Sequence, residues 1–235
     1  MQRPASPRRI ALLGAESTGK SHLATALAER LRSQGLSTVV VPEVLRGWCE
    51  REGRTPRAHE QAAIALEQAR QVLVCDGADI VIADTTPLMT AVYSHLLFAD
   101  GSLYEFSLHH QRVYDATLVT GLDLPWMADG LMRDGPQVRE PVDRLLRDAL
   151  ARAGLGWQVV YGRGERRLEN ALNAIISVAA RDRPALENGR NSPQNTPAAG
   201  LCAACGDPDC ERRLFSGLLE PDRRRPPDRF NEPAG

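Results

Sequence analysis

The stretch Gly14-Ala15-Glu16-Ser17-Thr18-Gly19-Lys20-Ser21 constrains this chain more than any other. It follows the apolar run Ile10-Ala11-Leu12-Leu13 and opens a helix-like segment over residues 21–32. Strand, glycine-bounded loop and helix in that order make the phosphate-binding P-loop, G-x-x-x-x-G-K-[ST]. The spacing lets consecutive backbone N–H groups curl around phosphate oxygens at the positive end of a helix, where orphan amides and the macrodipole both favour an anion. On this reading Gly14, Ala15, Glu16, Ser17, Thr18 and Gly19 cradle the phosphates of ATP, with His22 beside them. Lys20 reaches the β- and γ-phosphates and Ser21 offers its hydroxyl to Mg²⁺. Composition sharpens the reading, because among the 29 Lys and Arg residues Lys20 alone is a lysine. A chain that uses Arg at every other basic position keeps a Lys where a compact ammonium on a flexible stem is needed.

Beyond the P-loop, β-type runs alternate with helical patterns. Residues 37–41, 79–84, 116–120 and 157–161 read as further strands, and 58–74, 87–98, 142–150 and 166–180 carry helical periodicity. Residues 47–57, polar with Gly53 and Pro56, read as a loop. The expectation is an α/β chain: a three-layer P-loop NTPase or kinase fold over residues 1–183, with a parallel sheet of about five strands. An irregular tail over 184–235 follows, holding eight of the 16 prolines.

In an open parallel sheet the carboxyl ends of the strands face the ligand crevice. Glu43 and Arg46, just after the second strand, therefore fall beside the phosphates; the alternative is a helix start with Glu43 capping and Arg46 in solvent. Asp84 ends the run Asp79-Ile80-Val81-Ile82-Ala83 in the manner of a Walker B strand. Its carboxylate either holds Mg²⁺ or takes the proton of an attacking hydroxyl, unless it merely caps the next helix. Asp84 and Glu43 compete for the part of base. Tyr93 and Trp126 are flat enough to stack on a substrate ring, or else pack as core and lid. Residues 124–135, with a Trp, two Asp, two Gly and an Arg, suit a lid that closes over ATP and brings Arg133 to the charge on the transferred phosphoryl group.

A formal net charge of −1 gives no reason to expect nucleic acid or an anionic membrane as partner. Without an apolar run of spanning length or a signal peptide, the expected compartment is the cytoplasm. In the tail, Cys202, Cys205 and Cys210 form a CxxC pair and a third Cys separated from it by four residues. This spacing fits Zn²⁺ short of a fourth ligand, a redox or free-thiol segment, or an unstructured tail that holds three cysteines. Whether the tail carries an oligomer contact or a protein partner stays open.

The P-loop, Asp84-Thr85-Thr86 and above all Pro125-Trp126-x-x-Asp129-Gly130-x-x-Arg133 together resemble the nicotinamide riboside kinase domain of the bacterial NadR-type regulator of NAD biosynthesis and its stand-alone relatives. The resemblance covers roughly residues 9–180 and does not extend to the regulator's DNA-binding and adenylyltransferase portions. It implies a P-loop kinase fold and transfer of the ATP γ-phosphoryl group to the 5′-hydroxyl of nicotinamide riboside. It further implies that Glu43 and Arg46 form the E-x-x-R after the second strand, that Asp84 is the acidic residue after the third, and that Trp126, Asp129 and Arg133 belong to the lid. Two other functions remain open from the sequence: a nucleoside or nucleotide kinase, and a nucleotide-dependent regulatory ATPase that acts through a partner.

Overall fold

The apolar runs ending at Leu13, Asp84 and Thr120 are too uniformly hydrophobic to present a wet face. In the computed structural model they lie side by side in the middle of a parallel sheet. The structure describes residues 6–127 and 135–181. Strands β1 (Arg8–Leu13), β2 (Thr38–Val41), β3 (Ile80–Asp84), β4 (Ala116–Thr120) and β5 (Gln158–Val160) form one sheet in the order β2-β3-β1-β4-β5. Every neighbouring pair is parallel. All residues of β3 and β4 are buried, whereas the edge strands β2 and β5 are partly open. The expected five-stranded parallel sheet is thus present.

Helices α1 (Lys20–Ser33), α2 (Val44–Glu52), α3 (Gln61–Leu73), α4 (Pro87–Phe98), α5 (Tyr104–Gln111), α6 (Arg139–Arg152) and α7 (Gly164–Arg181) complete the described residues. Side chains alternate across each strand and so divide the core in two. Ile10 and Leu12 of β1, with Ile82 and Leu118, pack against Leu23, Leu27 and Leu31 of α1 and Leu168 of α7. Ala11 and Leu13, with Val81, Ala83 and Val119, pack against Val72 of α3, Leu88 and Val92 of α4, and Leu146 and Leu150 of α6. Helix, sheet and helix are therefore the three layers, and the strands' carboxyl ends all point to one edge.

Three segments differ from the sequence reading. Residues 47–52, expected as loop, belong to α2; this helix buries only Cys49 and ends at Gly53, whose φ of 63° is left-handed. With one buried residue it has no apolar stripe to reveal it. Helix α5 also lacks such a stripe, since what it buries is Ser107, His110 and Gln111. The helix expected from residue 58 begins as a single 3₁₀ turn, Ala58–Glu60, and becomes α-helical at Gln61. No helix among the described residues is long and apolar enough to cross a membrane.

Burial pushes the His110 imidazole below its ordinary value of 6.5, and the charges of Arg9 and His109 push it the same way. The unfolded chain therefore takes up this proton at higher pH than the fold does. Stability is full above the ordinary value and is lost as pH falls through it toward the depressed one. Urea midpoints taken from about pH 8 to about pH 5 should fall on the acid side, and His110→Leu should flatten that part of the slope.

Candidate active site

The turn between β1 and α1 is shaped by three residues at positive φ: Gly14 at 142°, Ser17 at 56° and Gly19 at 76°. A Cβ at Gly14 would lie 2.1 Å from Thr120 Oγ1, so only glycine lets the chain pass the end of β4. Ser17 is the non-glycine of the three, and its strain is offset by two bonds to the segment after β4. Its Oγ accepts from the Met127 N–H at 2.7 Å and donates to the Met127 carbonyl at 3.1 Å. Beneath the turn, Thr18 Oγ1 donates to the Ala15 carbonyl and lies 2.7 Å from Thr120 Oγ1, which donates to the Leu13 carbonyl. Lys20 Nζ donates to the carbonyls of Gly14 and Ala15, 2.9 Å each, which holds the ammonium across the mouth of the turn.

A residue that the sequence reading missed ties this turn to the far side of the site. Arg167 on α7 is 4% exposed. Its guanidinium donates to the Thr18 carbonyl at 2.7 Å, the Gly162 carbonyl at 2.9 Å and Asp123 Oδ1 at 3.1 Å. Asp123 Oδ2 in turn accepts from the Gly162 N–H at 2.7 Å. Burial alone would raise the Asp123 carboxyl, but the Gly162 amide and the Arg167 guanidinium hold it below its ordinary value. One buried Arg thus fastens the P-loop, the end of β4 and the end of β5 together. Nothing in its local sequence marks it, because its partners lie up to 149 residues away.

A cleft of about 1810 Å³ opens over the strands' carboxyl ends. It is lined by 16–22 of the P-loop, by Glu43 and Arg46 after β2, by Asp84 and Thr85 after β3, and by Tyr93 of α4. Register brings Asp84 opposite Leu12, next to the strand that runs into the P-loop, while β2 lies one strand further out. Asp84 is 6% exposed, and its Oδ1 has no hydrogen-bond partner among the described residues. It does not cap α4. That task falls to Thr86, whose Oγ1 accepts from the Leu88 N–H and donates to Gln111 Oε1. Thr85, at φ 82°, turns the chain between the two roles.

Glu43 precedes α2 without a side-chain capping bond, and its Oε2 lies 3.7 Å from Arg46 Nε. The junction is instead held by Gln68 of α3, which accepts from the Val44 N–H and donates to the Pro42 carbonyl. Ser21 and His22 are exposed at the start of α1 and line the cleft. Leu124, Pro125 and Met127 line it too, whereas Trp126 is half-buried outside that lining. Asp129 and Arg133 lie outside the described residues, as do 184–235 with Cys202, Cys205 and Cys210. Among the described residues no His, Cys, Asp or Glu cluster of three or more is placed to hold a metal. A Mg²⁺ that arrives with a nucleotide needs fewer protein ligands, and the orphaned oxygen of Asp84 with the Ser21 hydroxyl fits such a hard, oxygen-seeking ion.

A family model described as an AAA domain matches residues 9–167. No curated protein matches the chain. Among solved structures, NadR protein in complex with NAD and AMP-PNP aligns with a TM-score of 0.57 at 18% identity, over 74% of this chain and 50% of that one. NadR in complex with NR aligns with a TM-score of 0.58 at 20% identity, over 73% and 50%. The chain thus spans about half the length of these NadR chains. Deoxyadenosine kinase from M. mycoides, with products dCMP and dCDP, aligns with a TM-score of 0.51 at 14% identity, over 72% and 99%. These likenesses establish the shared fold.

Loss of the Arg167 clamp should loosen the P-loop and expose its dependence on the far strands. Arg167→Leu leaves the buried Thr18 carbonyl without this donor and should cost about 1–3 kcal/mol of stability in denaturant titration. Nucleotide affinity, read by fluorescence or calorimetry, should weaken in the same variant.

Proposed function

The chain belongs to the AAA domain family, and from that premise we propose that it is an ATP-dependent kinase of a small ribosylated acceptor, nicotinamide riboside first. The observation that carries this reading is the convergence of three groups on one cleft: the P-loop after β1, the Asp84 carboxylate at the end of β3 and the Glu43 carboxylate after β2. Phosphate binding alone would need only the first. A second carboxylate, reached from the strand two places from β1, serves an acceptor. The NadR structures with NR and with NAD and AMP-PNP share this fold, and the Pro125-Trp126-x-x-Asp129-Gly130-x-x-Arg133 stretch supports the same acceptor.

Strand order divides the labour. The P-loop backbone and Lys20 hold the β- and γ-phosphates in line with the acceptor, so that orientation replaces a chance encounter. Asp84, beside the P-loop, and Ser21 would hold Mg²⁺, which neutralises charge on the phosphate oxygens when bound. Glu43 accepts the proton of the attacking hydroxyl; a new oxygen–phosphorus bond forms, the β–γ bridging bond breaks, and ADP leaves with that electron pair. Arg46 orients the Glu43 carboxylate from the next turn of α2. Arg133, brought in by the lid, offsets the charge on the transferred group.

ATP consumption with Mg²⁺ should rise with nicotinamide riboside above the common nucleosides, deoxynucleosides and nucleoside monophosphates, and Lys20→Ala should abolish it. Glu43→Gln should lower kcat by about 10²–10⁴ while leaving the KM for ATP nearly unchanged. Asp84→Asn should raise the Mg²⁺ concentration needed for half-maximal rate. ATP turnover indifferent to every acceptor would contradict the kinase reading and favour a regulatory ATPase.

A further inference from the structure

Three glutamines of the described residues are 2% exposed: Gln61, Gln68 and Gln111. Two of them use the whole carboxamide inside the protein. Gln68 bridges the Val44 N–H and the Pro42 carbonyl, and Gln111 bridges the hydroxyls of Thr86 and Thr117. Gln61 stands two helical turns before Gln68 on the same buried face of α3, yet its Oε1 has no hydrogen-bond partner among the described residues. A buried acceptor left unpaired is a cost that natural folds avoid unless something else supplies the donor.

Gln61 also lines the cleft. The same lining includes Leu45 and Cys49 of α2, Pro56, and Met89, Tyr93 and Phe98 of α4, apolar side chains with two aromatic rings among them. The approach to Gln61 is fixed from the preceding loop. Arg54 makes a two-pronged pair with Glu60, at 2.7 and 2.8 Å, and Glu60 accepts from the Arg57 N–H. Arg54 lies 4.8 Å over the Trp48 ring of α2. A chamber with apolar and aromatic walls and a few positioned polar groups is the form that holds a ring and reads a substituent on it.

We propose that Gln61 is a specificity-determining residue, whose Oε1 accepts an N–H from an amide or amine carried on the planar head of the phosphoryl acceptor. The inference rests on the kinase reading for the identity of the chamber's occupant. It adds that the occupant must be a donor at that edge. A ring with a carboxylate in the same place offers Oε1 no hydrogen and sets two acceptors against each other, so the chamber rejects it.

The test is calorimetric titration of the full chain, saturated with AMP-PNP, with nicotinamide riboside and with nicotinic acid riboside, which differ only in amide against carboxylate. The wild type should bind the amide tighter by about tenfold or more. Gln61→Leu should erase that preference with AMP-PNP affinity unchanged, and Gln61→Glu, which keeps an acceptor oxygen, should keep the preference for the amide. Equal or tighter binding of the carboxylate by the wild type overturns the proposal without any variant, as does a preference that survives in Gln61→Leu. Phosphoryl transfer is followed on the same samples. Amide-selective binding without transfer defeats the kinase reading and leaves Gln61 in its role, whereas transfer without amide selectivity does the reverse.

Discussion

The turn from Gly14 to Lys20 has to bring one polypeptide strand out of the centre of a sheet and into a helix while presenting backbone to an anion. That geometry demands positive φ at Gly14, Ser17 and Gly19, and no part of the turn is stable on its own. The surroundings therefore hold it. Thr120 packs against Gly14 so closely that no side chain fits, Thr18 and Thr120 share a buried hydroxyl contact, and Arg167 reaches in from the last helix to the Thr18 carbonyl. Strand β1 sits at the middle of the sheet, with β3 and β4 on either side, and this lets both neighbours contribute to the turn. Where the Lys20 ammonium meets the Gly14 and Ala15 carbonyls, the same turn positions the cation that a phosphate would attract.

From that fixed point the cleft extends along the sheet's carboxyl edge. Beside the P-loop strand stands Asp84 with its orphaned oxygen, and Ser21 opens the helix that follows the loop. One strand further out β2 leads to Glu43 and Arg46, and the same cleft is also lined by Gln61 and by apolar side chains such as Leu45, Met89 and Tyr93. Strand order β2-β3-β1 sets which residues reach this edge side by side.

Much of this could be read from the chain before any coordinates. The central strands announced themselves as unbroken apolar runs, and the P-loop spacing placed Lys20 and Ser21. Asp84 and Glu43 followed because they stand at or just past the ends of strands whose carboxyl ends had to share an edge. What escaped was polar and long-range. Helix α2 buries one cysteine and α5 buries a serine, a histidine and a glutamine, so neither carries the apolar period that marks a helix. Arg167 and Gln61 owe their roles to groups brought near only by the folded sheet. A buried Arg that clamps three carboxyl-end loops is spelled no differently from a surface Arg, and the chain has 28 of them.

The proposed reaction moves a phosphoryl group from ATP to a carbon-bound hydroxyl of an acceptor held on the Glu43 side. Phosphorus NMR of the full chain incubated with Mg²⁺-ATP and nicotinamide riboside reads this directly. The γ resonance should disappear as a new phosphomonoester signal coupled to the 5′ methylene protons grows in, and neither change should occur in the Lys20→Ala sample. Inorganic phosphate as the sole product, formed at the same rate with or without the riboside, would contradict it.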